Sequence, residues 1–237
     1  MTEMLRGYLE SILEEARKKK LAYADFFRIF ATYLYPSKSD LIDFYDILRS
    51  IKSFADKIAE ASHNLRLMKR RVSELAKKGY RPLLVDCLGL PEIYEIYKRI
   101  SERCGILAVS VEPYVNTSAL TDEFKKVYGS RTMLELAKRL GTILYKNIDE
   151  TVHNELGKPM ELNSLLELAK SKLRRIAESL ADDAMRNKKA FIASDHGYDV
   201  HFELPDKYYL RHGHKSRLAR VAPLIIVECR LVRDFCI

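Results

Sequence analysis

The sequence predicts an α/β fold preceded by an all-helical N-terminal extension, on three observations. Apolar residues recur at helical spacing through residues 1–79, short continuous apolar runs replace them after Arg81-Pro82, and helical stretches alternate with those runs. The expected division is therefore 1–79, a helical extension or arm, and 80–237, an α/β domain, with the boundary at Gly79 to Pro82.

In the first segment Leu5, Tyr8, Leu9, Ile12 and Leu13 make one apolar stripe. Phe26, Phe27, Ile29, Phe30 and Tyr33 mark a second helix that ends before Tyr35-Pro36. A third helical stretch starts after Ser37 or Ser39 and runs to Lys77-Lys78-Gly79, long enough for an antiparallel hairpin or coiled arm. In the second segment LLVD (83–86), GILAVSV (105–111), AFIAS (190–194) and PLIIVE (223–228) are apolar throughout, as strands of a mostly parallel sheet covered on both faces are. Helices are expected near 91–103, 120–127, 131–146 and 161–187.

Bulk composition narrows the function classes only a little. The chain opens with a charged stretch rather than a signal-peptide core, and no apolar run approaches the roughly 20 residues of a membrane helix, so a cytoplasmic protein without a membrane partner is expected. Cys87, Cys104, Cys229 and Cys236 form no CxxC pair; they read as reduced, buried or incidental thiols. A formal charge of +8 suits a polyanion such as nucleic acid or a phosphorylated substrate, although the basic residues are scattered, with KKK at 18–20 and MKRR at 68–71 the tight runs.

Chemistry gathers where the apolar runs end, because ligands of open α/β sheets collect at the carboxyl ends of strands. Asp86 ends LLV, the polar stretch PYVNTS follows AVSVE, and Asp195 and His196 follow AFIAS. An Asp-His pair on a turn that Gly197 permits can reach a metal; the competing reading is a capping Asp beside a hydrogen-bonded His. Asp149 and His153, four residues apart, share one helical face, where they can hold an ion or simply face solvent. His212 and His214 lie in a loop before the last strand. Five of the six histidines fall after residue 150, and four lie between 196 and 214, a clustering that favours ligands.

The order LLVDCLG, EPYVNTSALTDEFKKVYG, NIDETVH, ASDHGYD, RHGHKSRLARVAPLIIV resembles the alkaline phosphatase superfamily and, more closely, its PglZ domain, over about residues 82–228. That resemblance implies an alkaline-phosphatase-like core with two ions, one held by Asp149, His153 and His212, the other by Asp86, Asp195 and His196, with His214 the alternative to His212. It implies a nucleophilic hydroxyl at Thr117 or Ser118. Pro113 stands four residues before Thr117, one more than the family's usual spacing. Asn116 and Lys215 are the candidate substrate-binding side chains. Nitrogen and carboxylate donors suit Zn²⁺, with Mn²⁺ or Mg²⁺ as alternatives.

The resemblance thus implies a metal-dependent phosphoester hydrolase, a phosphodiesterase or phosphatase, with nucleotides or oligonucleotides among its substrates. The competing function is a protein-interaction or nucleic-acid-binding component, in phage defence or signalling, whose metal site is structural or degenerate and whose helical extension docks a protein partner.

Overall fold

The computed structural model describes residues 63–105, 108–204, 207–214 and 216–229. The helices expected before residue 63 lie outside the described residues, as do Lys215 and Cys236.

Strand β1 (His63–Asn64) leads directly into helix α1 (Leu65–Lys77), whose first turn is closed by the Asn64 side chain accepting from the backbone N–H of Arg66 and Leu67. Leu65, Met68, Val72 and Leu75 recur at three- and four-residue intervals, and all four are buried. Strand β2 (Arg81–Val85) follows, then helix α2 (Leu90–Cys104) and strand β3 (Val109–Val115). Helix α3 (Thr121–Tyr128) is succeeded by helix α4 (Met133–Leu140), where Thr132 caps by accepting from Glu135 N–H. The helix expected over 131–146 stops here because Gly141 turns left-handed at φ 67°. Residues 144–145 become edge strand β4 (Leu144–Tyr145).

Helix α5 (Asn147–Thr151) runs on into a wider π turn (Val152–Leu156). A short strand β5 (Met160–Glu161) precedes α6 (Leu162–Met185), the longest helix among the described residues, and strand β6 (Ala190–Ser194). Strands β7 (Asp199–Leu204) and β8 (Lys207–Arg211) form a hairpin, and a 3₁₀ turn (Leu218–Arg220) feeds strand β9 (Val221–Val227).

The main sheet has six strands in the order β1-β3-β9-β6-β2-β4; the hairpin and β5 make a second, three-stranded sheet. The main sheet is mixed: five of its strands point the same way, as in the mostly parallel sheet expected, and β9 runs against them. Strand β6 is parallel to β2, and β2 to β4, but β9 runs antiparallel to both β3 and β6. Its direction follows from its entry: no crossover helix separates β8 from β9, so the chain enters β9 from the edge where β6 ends.

Helices cover both faces, which is why the central strands β6 and β9 are buried throughout. On one face Leu83, Val85, Ile192 and Ile225 pack with Ile93, Ile96 and Ile100 of α2 and Leu173 and Leu180 of α6. On the other, Leu84, Phe191, Leu224 and Ile226 pack with Met68 and Val72 of α1, Phe124 of α3 and Leu136 of α4. Each such side chain contributes about 1.5–3 kcal/mol by leaving water. Helix α1 is therefore packed on the sheet as a layer of the α/β body.

A disulfide joins Cys104 to Cys229, with their Cα atoms 5.2 Å apart, which corrects the expectation of reduced thiols at those positions. Helix α2 starts at the edge where β2 ends and runs back along the sheet, while β9 leaves from that same edge, so both arrive together at the far end. Cys87 is free and buried. No helix among the described residues is long and apolar enough to cross a membrane.

Candidate metal centre

Strands β2 and β6 are parallel neighbours with Val85 opposite Ser194, so the residues that follow them, Asp86 and Asp195, emerge side by side. The two connecting loops touch. Leu88 N–H donates to the His196 carbonyl at 2.8 Å and to Ser194 Oγ at 3.0 Å, and Cys87 N–H donates to Asp195 Oδ1 at 3.2 Å. Gly89 and Gly197 make this approach feasible: a Cβ on Gly89 would lie 2.3 Å from the Tyr198 ring, and one on Gly197 would lie 3.0 Å from the Leu88 carbonyl. Tyr198 in turn donates to the buried Glu92 carboxylate at 2.7 and 2.8 Å, anchoring the start of α2 beneath the loops.

His196 is fully buried, and its Nδ1 lies 3.0 Å from the Gly197 carbonyl. A carbonyl only accepts, so Nδ1 carries the proton and the Nε2 lone pair faces the site. That lone pair lies 3.3 Å from Asp195 Oδ2 and 3.2 Å from the Thr121 hydroxyl.

The hairpin completes the cluster. Asp199 pairs with Arg211, so continuing the antiparallel register one step brings His212 back over the loop that holds His196; the two rings stand 4.3 Å apart. From the other side α5 and its π turn present Asp149 and His153. Asp149 Oδ1 is 3.3 Å from both His153 Nε2 and His212 Nε2, and those two nitrogens are 2.8 Å apart.

Two sets of donors thus converge, Asp86 with Asp195 and His196, and Asp149 with His153 and His212, the atoms within each set lying within 4.8 Å of one another. Both sets suit a divalent ion such as Zn²⁺. Tetrahedral ligands at about 2.0–2.1 Å are spaced about 3.3 Å apart, which matches the 3.3 Å separations of Asp149 from His153 and His212 and of Asp195 from His196. Asp195 Oδ2 is buried without a hydrogen-bond partner, a costly arrangement that a cation would relieve. Cys87 Sγ lies in a third group with His196 and His212, but burial first, and then the surrounding carboxylates, push this thiol up and disfavour the thiolate that binds metal.

The charges are mutually dependent. Burial, and then the carboxylates of Asp195 and Asp149, push Asp86 up to about 7. Burial raises Asp195 to about 6 against the pull of the Thr121 hydroxyl and the Cys87 amide. Burial, then His212, lowers His196 to about 4. For Asp149 burial acts upward, but the His212 hydrogen bond and the electrostatic attraction of the His153, His212 and His196 rings outweigh it and hold the carboxyl below its ordinary value.

In metal-free protein, Asp86 contributes stability that is present below its ordinary pKa of 3.8 and is lost as pH rises through about 7. His196 contributes stability that is present above 6.5 and is lost as pH falls through about 4. In metal-free protein above pH 7 the cluster therefore crowds its carboxylates together, and a cation neutralises them best. The rise in Tm on adding Zn²⁺ is expected to be several degrees larger at about pH 8 than at about pH 5.5. Equal shifts at the two pH values in a thermal melt would contradict a carboxylate-lined site.

Six of the expected ligand residues, Asp86, Asp149, His153, Asp195, His196 and His212, are brought together; His214 is exposed and belongs to neither set. The expected hydroxyls are engaged elsewhere. Thr117 Oγ1 donates to the Glu123 carboxylate at 3.0 Å, and Ser118 Oγ donates to Asn116 Oδ1 at 3.0 Å. Asn116 is buried, and its amide is spent on the carbonyls of Leu120 and Asp195, both at 2.9 Å, which argues for holding the turn rather than for contacting substrate. The hydroxyl that reaches the cluster is that of Thr121, the first residue of α3. No motif spacing in the sequence marks it, because its place beside His196 arises only in the fold.

A scan against protein-family models and a search of curated proteins found no match to this chain.

Proposed function

We propose that the chain is a metal-dependent phosphoester hydrolase of the alkaline phosphatase type, close to the PglZ domain, with Thr121 rather than Thr117 or Ser118 as its nucleophile. The observation that carries this reading is the convergence of two Asp- and His-containing donor sets beside one hydroxyl at a helix N-terminus. The motif order read from the sequence adds support, and Zn²⁺ suits the donors best, ahead of Mn²⁺ or Mg²⁺.

Asp149, His153 and His212 would hold one ion, and Asp86, Asp195 and His196 the other. Bound there, the pair supplies Lewis-acid charge for the phosphate oxygens and lowers the pKa of a nearby hydroxyl. Thr121 Oγ attacks phosphorus while the ester P–O bond breaks on the opposite side, leaving a phosphothreonine and releasing the alcohol. Water then cleaves the phosphothreonine, which restores the hydroxyl and releases phosphate or a monoester. The free N–H end of α3 favours negative charge at this position throughout.

Protein stripped with a chelator and reloaded with Zn²⁺ or Mn²⁺ should hydrolyse p-nitrophenyl phosphate or bis-p-nitrophenyl phosphate only after reloading. Metal bound at the cluster with no turnover of either ester would sink the hydrolase reading and leave a structural metal site.

A further inference from the structure

Away from the candidate metal centre, α1 and the far end of α3 flank an open cleft of about 760 Å³. Arg66, Lys69, Arg70 and Lys77 line it from α1, and Lys126 lines it from α3. On a helix that buries Leu65, Met68, Val72 and Leu75, these four α1 cations form the outward stripe, which spans about 16 Å. Lys69 donates to the Val127 carbonyl at 2.9 Å and fixes the two walls together. Among the described residues no carboxylate pairs with Arg66, Arg70, Lys77 or Lys126; the acidic lining residue, Glu74, faces Arg71 at 3.6 Å. Residues 1–62 hold ten basic and ten acidic residues, so the formal charge of +8 resides entirely in 63–237.

We infer that this cleft binds the phosphate backbone of a single-stranded nucleic acid. A row of cations along a groove, none paired with a carboxylate among the described residues, matches a row of phosphates, and releasing the counterions of those phosphates drives binding. A membrane surface fits less well. Helices that lie on anionic lipid insert apolar side chains, whereas the exposed large apolar residues described here, Leu67, Leu134 and Ile143, are absent from the lining. Helix α3 links the cleft to the metal centre, because Thr121 stands at one end and Lys126 about 8 Å along it. A strand held in the cleft is thereby placed within a few nucleotides of the hydroxyl. That the strand is also the substrate rests on the hydrolase reading above.

Binding is measured by fluorescence anisotropy with a labelled oligothymidylate of about 20 nucleotides, in chelator so that no cleavage intervenes. Wild-type protein is expected to show a log–log salt slope of about −3, as for four or five phosphate contacts. The double variant Arg66→Glu/Arg70→Glu should bind at least tenfold more weakly. A charge-matched control, Lys170→Glu/Arg175→Glu, alters exposed residues of α6 on the opposite face of the sheet and should bind within twofold of wild type. Melting curves establish that both variants are folded. Equal losses in the two variants, no loss in the first, or binding to phosphatidylserine vesicles without binding to the oligonucleotide would overturn the inference. With metal restored, Arg66→Glu/Arg70→Glu should lose oligonucleotide cleavage and keep bis-p-nitrophenyl phosphate cleavage. If no metal-loaded form cleaves the small ester, the hydrolase reading fails while the binding result stands on its own.

Discussion

Thr121→Ala is expected to lower metal-dependent ester hydrolysis by about 10³-fold or more, whereas Thr117→Ala and Ser118→Ala should each change it by less than about tenfold. The contrast comes from where the three hydroxyls point. Thr121 Oγ1 lies 3.2 Å from His196 Nε2, at the start of a helix and beside the donor set that contains His196. Thr117 and Ser118 instead close the turn before that helix through Glu123 and Asn116. Losing either of those bonds costs about 1 kcal/mol of local stability, which melting would register. Thr121→Ser keeps the oxygen and should recover much of the rate. Acid-quenched protein should carry phosphate on Thr121, found by mass spectrometry of its peptides. Full activity in Thr121→Ala, or phosphate on Thr117 or Ser118, would reassign the nucleophile.

The sequence was most legible where residues and their chemistry are local. Asp149 and His153 lie one helical turn apart, Asp195 and His196 follow an unbroken apolar run, and Asp86 ends another; each could be picked out without knowing how the chain returns on itself. The helices over 90–104, 121–128 and 162–185 were legible for the same reason. Direction was not. PLIIV reads identically whether its strand is parallel or antiparallel, because both faces are covered, and only the hairpin before it fixes which end comes first. Thr121 was hidden because reach, rather than motif spacing, distinguishes it. The Cys104–Cys229 link was hidden because it joins elements that meet only after the sheet has formed.

Removing that link is the second large effect. Cys104→Ser/Cys229→Ser is expected to destabilise the protein by about 4–5 kcal/mol, since the crosslink closes a loop across 125 residues and restricts the unfolded chain accordingly. For a domain of this size that corresponds to roughly 10 °C or more in Tm. The bond sits at the end of the sheet remote from the candidate metal centre, so the proposed Zn²⁺ binding and ester hydrolysis, measured well below the melting temperature, should be the same with and without it. Reduction of wild-type protein should reproduce the lower Tm. A double variant that melts with the wild type would show that packing around α2 and β9 suffices without the crosslink.

The central place of β9 also governs the order in which the molecule can be made. Strands β3 and β6 do not pair with each other; β9 stands between them and hydrogen-bonds to both. A chain emerging from the ribosome can form α1, the β2–β6 pair and the helices around them, yet it must keep two strand edges open until residue 227 is free. Open apolar edges are sites of self-association. Synthesis that pauses between residues 194 and 221 should therefore yield an aggregation-prone intermediate, and release of the last strand should end that vulnerability in a single late step.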